Sequence, residues 1–336
     1  MNNSLIIPDN INDLLMSGVD VDDIIKPPPR AGTGLHPWLF GQACKLKDIG
    51  ATPEETAIYI RASLDKHEPG REVFDRELNE AVRNGFAINQ RPSGPAWPKP
   101  KAKHIKAIVE REGASTLERL KGCSPHKSLE NLTAENAIDT LFPGNPLLCL
   151  AASQWDAQTL EREMWRGREG NLQFIVPSPL VKPFGLTQDG RKSARCLDNV
   201  GARRFLVVEY DMSPESEFWR PLVQRWEKKG ITVFDAQSSL LVDLATNPGL
   251  RAPLACVVHS GNKSLQSWYF VQGFEDERVL PFFKRAVSLG ADRATWTKCQ
   301  LVRLPGGLRE NGNRQEVVYL NPAVIIGKGG ASNGTN

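Results

Sequence analysis

The feature that most constrains the fold of this chain is the run Phe205, Leu206, Val207, Val208, four large or β-branched apolar residues without a polar interruption. A strand facing water on one side alternates apolar with polar residues, so an unbroken run predicts a strand buried on both faces. Such a sheet needs covering layers on either side, and 336 residues are enough to supply them. The strand then delivers two carboxylates, Glu209 and Asp211. Residues i and i+2 of a strand point to one face, about 6 to 7 Å apart. Like charges so placed are either solvated loop acids or the ligands of a divalent cation.

Composition narrows the class. A hydrophobic fraction of 40% with 24% charged residues is that of an ordinary globular protein, and a net charge of +3 leaves any nucleic-acid partner to be argued from local patches. The six cysteines show neither a C-x-x-C pair nor close His-Cys spacing, which predicts reduced core thiols rather than zinc ligands or disulfides. The first residues lack the basic start and apolar core of a signal peptide, and no stretch approaches the roughly 18 apolar residues of a membrane span. A cytoplasmic protein without a membrane partner is expected.

Read in order, residues 1–34 lack apolar periodicity and end in a Pro- and Gly-rich segment, which predicts a leader and linker. Residues 35–90 predict a small helical module. Leu39, Ala43 and Leu46 form one stripe, Thr52-Pro53-Glu54-Glu55 is a capping box, and a third helix over Arg76 to Asn84 would be closed by Gly85. Residues 91–106 hold four prolines and five Lys or Arg without an acid, hence an extended linker. Lys101 and Lys103 could follow a phosphate backbone with Trp97 as a stacking ring, or the segment could simply be soluble.

Residues 107–326 form the larger predicted domain, with its motif-bearing core at 141–322. Short helices give way after Leu141 to brief strands, among them Leu172 to Val176, Ile231 to Phe234, Leu254 to Val258, Trp268 to Val271, Gln300 to Leu304 and Val317 to Leu320. Asp189-Gly190 reads as a tight turn and Ser213-Pro214-Glu215 as the cap of a helix carrying Trp219, Leu222, Val223 and Trp226 inward. A helix over Glu275 to Leu289 ends at Gly290. Residues 327–336 are Gly-, Ser- and Asn-rich, the composition of a disordered tail.

Three clusters carry chemistry. The first is Glu209 with Asp211. The second is the loop from His259 to Ser267, whose Gly261, Lys263 and Ser264 could wrap a phosphate, although it lacks Walker A spacing. His259 itself reads as structural. The third is Asp292 followed by Arg303-Leu304-Pro305-Gly306. Together they supply carboxylates for divalent ions and cations for a triphosphate, the inventory of metal-assisted phosphoryl transfer.

In these residues the chain resembles the archaeo-eukaryotic primase superfamily, particularly the primase-polymerases of phages and mobile elements. That family is recognised by an acid-x-acid pair after an apolar strand, a Ser-x-His in a Gly-containing loop and a third acid before a basic strand. Here these are Glu209-Tyr210-Asp211, Ser264-Leu265-Gln266 and Asp292, with glutamine standing where the family has histidine. The resemblance implies an α/β (α+β) fold with a mixed or antiparallel sheet of RNA-recognition-motif type flanked by helices. It further implies a DNA primase or primase-polymerase, with Glu209, Asp211 and Asp292 as catalytic acids holding Mg²⁺ or Mn²⁺. Lys263, Ser264, Gln266 and Arg303 would bind the nucleoside triphosphate, and Arg203, Arg204, Lys101 and Lys103 a single-stranded DNA template. Any replicative helicase would be a separate chain, since no P-loop is present. The alternative is a catalytically weakened primase fold that binds DNA in replication initiation, an alternative that Gln266 favours. Glutamine can donate to a phosphate oxygen but carries no charge. A metal-dependent nuclease or ligase-type nucleotidyltransferase would share the acids but has no motif here.

Overall fold

The computed structural model describes residues 25, 27–29, 35–48, 51–67, 69, 72–87, 95–188, 190–246 and 252–326. The chain divides into two compact units, residues 1–96 and 97–336. The division falls inside the basic Pro-rich segment 91–106.

In the first unit, α1 (Leu35–Asp48), α2 (Pro53–His67) and α3 (Asp75–Ala87) surround a core that includes Leu39, Ala43, Leu46, Ile60, Leu64, Leu78 and Val82. The capping box forms as expected. The Thr52 N–H donates to Glu55 Oε2 (2.8 Å) and the Glu55 N–H to Thr52 Oγ1 (3.2 Å). Two expectations need correction. Gly85 does not close α3 but lies within it, because a Cβ there would stand 2.8 Å from the Ala43 Cβ and the bare backbone lets α3 approach α1. Ile25, assigned to the leader, is fully buried in this core. The other described residues of the leader are 27–29, and the tail lies outside the described residues.

The second unit begins with Trp97, followed by α4 (Ala102–Val109), α5 (Leu117–Gly122), α6 (Ala134–Leu141) and, after the first two strands, the single turn α7 (Arg162–Trp165). The prolines end at Pro100 and α4 starts directly afterwards, so the last third of the predicted extended linker is helical. Its Ile105, Ile108 and Val109 face the core.

Two antiparallel sheets follow. The smaller has the order β2 (Gln158–Glu161), β1 (Leu147–Ala151), β3 (Phe174–Ile175), β9 (Val302–Arg303). The larger has the order β10 (Val317–Leu320), β7 (Leu254–His259), β8 (Leu265–Phe270), β6 (Phe205–Glu209). A short hairpin, β4 (Gly185–Leu186) with β5 (Lys192–Ser193), lies apart. Gly190 of its turn adopts φ 75°, while Asp189 is outside the described residues. Since β8 is antiparallel to both β6 and β7, those two run parallel with β8 between them. The connection from β6 to β7 carries α8 (Arg220–Glu227) and α9 (Val233–Thr246). α10 (Asp276–Ser288) follows β8, and α11 (Ala323–Ile326) ends the described chain.

The apolar run behaves as its sequence requires. Leu206 and Val208 face a core built from α8, α9 and α10, including Trp226, Leu241 and Phe283. Phe205 and Val207 face the opposite core, shared with Ile138 and Phe142 and with Leu148 and Ile175 of the smaller sheet. The fold is thus α+β, with antiparallel sheets and helical layers.

The expected strand over Ile231 to Phe234 is absent. Thr232 and Asp235 form a reciprocal cap, N–H to Oδ2 at 3.2 Å and N–H to Oγ1 at 3.1 Å, and start α9 instead. Ser213 lies in turns ahead of α8, whose helical geometry begins only at Arg220, yet Trp219 and Trp226 are buried as their spacing demands. All six cysteines are free thiols, four of them buried, and burial pushes the Cys149 thiol up to about 11.

Candidate nucleotide site at the end of β6

Glu209 is the last residue of β6, and it continues the Phe205 and Val207 row onto the face shared with the smaller sheet. Antiparallel register places it directly opposite Gln266 of β8. Its carboxylate accepts from Ser264 Oγ (2.5 Å) and from Gln266 Nε2 (2.8 Å). Burial raises the Glu209 pKa, with the nearby Asp292 adding to the rise, while the two hydrogen bonds and the Arg303 charge oppose it. The main-chain N–H of Asp292 donates to the Glu209 carbonyl oxygen (2.8 Å). Three segments separated by more than fifty and then twenty residues of sequence therefore meet at one strand end.

Asp211 stands past the strand end with its side chain exposed, and its Oδ1 lies 2.9 Å from Lys263 Nζ. This pairing raises the lysine pKa. Asp292 initiates a 3₁₀ turn, Arg293–Trp296, and its Oδ1 accepts from the Ala294 N–H (2.9 Å). Gln266 is 4% exposed, and both ends of its amide are committed. Its Nε2 serves Glu209 and its Oε1 accepts the main-chain N–H of Arg303 (2.7 Å), so the side chain ties the two sheets together. It is a bridge rather than the free nucleotide contact expected from sequence. Ser264, 4% exposed and bound to Glu209, is likewise a positioning residue.

The loop from β7 to β8 departs from the expected phosphate wrap. The N–H groups of Ser260, Gly261, Ser264 and Leu265 donate, respectively, to Ser264 O, His259 Nδ1, Ser260 Oγ and Gln237 Oε1. Gly261 sits at φ 75°, and a Cβ there would come within 3.0 Å of the Arg314 carbonyl oxygen. Those four donors are turned inward and are not available to an anion, and the Lys263 ammonium pairs with Asp211. His259 is structural, as expected. It packs on Phe234 with ring centroids 4.6 Å apart, and burial lowers its pKa.

Sequence reasoning missed Gln237. Fully buried on α9, it donates to the carbonyls of Tyr210 and Lys263 (3.0 Å each) and accepts from the Leu265 N–H (2.8 Å). One side chain thereby holds both acid-bearing and lysine-bearing segments. The signal was present: with Leu240, Leu241 and Leu244 it occupies i, i+3, i+4 and i+7, and a glutamine on an apolar stripe needs partners.

Of the residues expected to meet a template, Lys101 and Lys103 are exposed at the start of α4, whereas Arg203 and Arg204 are used internally. Arg203 is 4% exposed, donates to Asp276 Oδ1 (3.2 Å) and to the Trp296 carbonyl (2.8 Å), and stacks 4.5 Å from the Trp296 ring. Arg204 donates to the Leu141 carbonyl (2.8 Å) and to Gln272, over the rings of Phe205 and Phe270. Burial lowers both pKa values. Trp97 meets Phe283 and Trp296 edge-on at 5.4 and 5.9 Å, so it is a packing residue and not an open platform.

Arg303 is half-buried on β9, its guanidinium 4.5 Å from the Phe174 ring and its Nη1 3.3 Å from Gln173 Oε1. The turn after it is fixed by Gly306, at φ 79°, where a Cβ would stand 2.7 Å from the Ala134 nitrogen.

The resemblance implies a divalent ion, and the donor set decides what kind of site it would be. Among the described residues no three His, Cys, Asp or Glu side chains stand together as a ligand cage. Mg²⁺ characteristically binds through one or two carboxylates together with substrate phosphates; here both Glu209 oxygens accept from Ser264 and Gln266, and Asp211 is paired with Lys263. The ammonium already beside Asp211 marks a position where positive charge is stabilised. The chain matches no protein-family model, no curated protein and no solved structure. Among the described residues no helix is long and apolar enough to cross a membrane.

Proposed function

We propose that this chain is a DNA primase or primase-polymerase that joins nucleotides from nucleoside triphosphates on a single-stranded DNA template. The observation that carries the reading is the meeting of three separately encoded segments at Glu209. Ser264 and Gln266 bind its carboxylate, the Asp292 N–H binds its carbonyl, and Asp211 stands two residues on beside Lys263. The reading is supported by the order of the three motifs along the chain and by an antiparallel sheet flanked by helices.

In this reading Glu209 and Asp211 hold Mg²⁺ or Mn²⁺ arriving with the triphosphate, and Asp292 adds negative charge beside them. When bound, the ion supplies charge neutralisation at the phosphate oxygens. Lys263 exchanges its contact with Asp211 for the triphosphate, a swap of one charge-assisted partner for another at an exposed position. Ser264 and Gln266 orient the Glu209 carboxylate and partly offset the cost of burying its charge. Gln237 fixes the spacing between the acid segment and the lysine loop.

Primer synthesis from labelled nucleotides on single-stranded DNA with Mn²⁺ tests the proposal. Wild type is expected to form product and Asp211→Ala to lose it. Equal inertness of the two folded proteins would defeat the enzymatic reading.

One observation favours a second reading, a replication-initiation protein that binds DNA without polymerising. Gln266 is 4% exposed and spends both ends of its amide inside the protein, its Nε2 on Glu209 and its Oε1 on the Arg303 N–H. Gln266→His separates the two. A gain in incorporation marks an enzyme weakened at one contact, and no gain alongside salt-sensitive DNA binding marks the binder.

A further inference from the structure

A cavity of about 370 Å³ opens between the turn after β1 and the loop after β9, lined by Trp155, Gln173, Phe174, Arg303 and Arg309 among others. The strand pairings create it: Ala151 of β1 lies opposite Phe174 of β3, and Phe174 lies opposite Arg303 of β9. Trp155 is 92% exposed, the most exposed of the large apolar side chains among the described residues. Its position is built rather than incidental. The Ser153 N–H donates to Asp156 Oδ1 (2.7 Å) and the Trp155 N–H to Ser153 Oγ (3.2 Å), so the turn's own side chains hold the indole outward.

Two guanidinium groups face the same space. Arg309 uses Nη1 on the Ser260 carbonyl (3.1 Å), and Arg303 uses Nη1 on Gln173 (3.3 Å), leaving donors on each fork. Their mutual repulsion is a secondary cause, after burial, of the lowered Arg303 pKa, and an anion between them would relieve it. Gln173 is 5% exposed and also donates to Glu310 Oε1 (3.2 Å). A continuous series of hydrogen bonds therefore leads from Glu209 through Gln266, Arg303 and Gln173 to the cavity rim.

An open aromatic face beside paired guanidinium groups matches one ligand chemistry, a planar base joined to a phosphate. The volume suits a single small ligand and is far too small for a duplex. We propose that this cavity takes one nucleotide unit of a single-stranded nucleic acid, the base stacked on Trp155 and the phosphate held by Arg309 and Arg303. That the strand is the template rests on the function proposed above, whereas the stacking site itself does not.

Fluorescence anisotropy of a labelled oligothymidylate, titrated with the full chain, tests this. Trp155→Ala is expected to weaken binding by roughly 5- to 150-fold, the range of one lost base stack, and Trp155→Phe to restore most of it. Arg309→Gln is expected to lower the salt slope by about 0.7, one phosphate contact on a single strand. An affinity for Trp155→Ala within twofold of wild type, with circular dichroism unchanged, overturns the proposal. A calorimetric titration with ATP resolves the other source of the same chemistry. If Trp155→Ala weakens ATP binding and leaves the oligonucleotide unaffected, the assignment to a strand is wrong. The two proposals fail separately: Trp155-dependent strand binding by a wild type that makes no primer supports this site and rejects priming. Primer synthesis with strand affinity indifferent to Trp155 does the reverse.

Discussion

Gln266→Leu removes the bridge between the sheets while nearly conserving volume, so the cavity contribution is small and the lost hydrogen bonds dominate. Two partners are stranded. The Glu209 carboxylate loses a donor at 2.8 Å, a bond to a charged group worth about 1.5 to 3 kcal/mol. The Arg303 N–H loses its acceptor at 2.7 Å, and an unsatisfied buried donor costs about 1 to 3 kcal/mol. The sum, about 2.5 to 6 kcal/mol, is a large share of the roughly 5 to 15 kcal/mol that holds a domain folded. All tryptophans but Trp38 lie in the 97–336 unit, so urea unfolding followed by tryptophan fluorescence reports on that unit. The loss is expected to be larger at pH 8 than at pH 5, because a protonated Glu209 needs the missing donor less. A destabilisation below about 1 kcal/mol at pH 8 would refute the bridge, since that is less than the lower bound for either bond alone.

Two further expectations follow from the same contacts. Burial raises the Glu209 pKa, so the folded state holds this proton more tightly than the unfolded state does. The resulting penalty is absent below the unfolded carboxylate value and grows as pH rises through the raised one. Glu209→Gln is therefore expected to gain in Tm relative to wild type between pH 5 and pH 8, measured by calorimetry, while losing primer synthesis; a constant difference would contradict the assigned cause. Arg203→Ala removes one of the two cations on Asp276, which keeps Lys298 Nζ at 2.9 Å, frees the Trp296 carbonyl and leaves a gap under its ring, and should cost about 1 to 3 kcal/mol in urea unfolding. Its folded fraction should bind single-stranded DNA as wild type does, and a selective loss of DNA affinity would return Arg203 to the interface.

What could be read from sequence followed from signals that are local and chemically redundant. The uninterrupted run at Phe205 to Val208 required a sheet covered on both sides, and it has one. Thr52 to Glu55 was legible because the side chains of a capping box bond to their own neighbours. Legibility failed where a distant partner decides the outcome. Gly85 looks like a helix stop until Ala43 is seen against it, and nothing near Gly85 in sequence announces that contact. Ile231 to Phe234 has the composition of a strand, but the cap between Thr232 and Asp235 outweighs propensity.

The site shows the same division. Glu209 and its approach to Ser264, Gln266 and Asp292 were suggested by the order of motifs, which constrains strand ends. The inward use of Arg203, Arg204 and Gln266 was not, because charge and hydrogen-bonding capacity are properties of a residue whereas availability is a property of its surroundings. Trp155 was passed over for the converse reason. A tryptophan in sequence reads as core, and only the fold reveals it standing in water beside two arginines.

In the proposed function the end of β6 receives a triphosphate together with its divalent ion. Calorimetric titration of the full chain with a non-hydrolysable nucleoside triphosphate, with and without Mn²⁺, tests this most directly when repeated on Asp211→Ala. Wild type is expected to bind the nucleotide at least tenfold more tightly with Mn²⁺, and Asp211→Ala to lose that enhancement while remaining folded. An enhancement of the same size in both proteins, or none in wild type, would contradict the assignment of Glu209 and Asp211 to the ion.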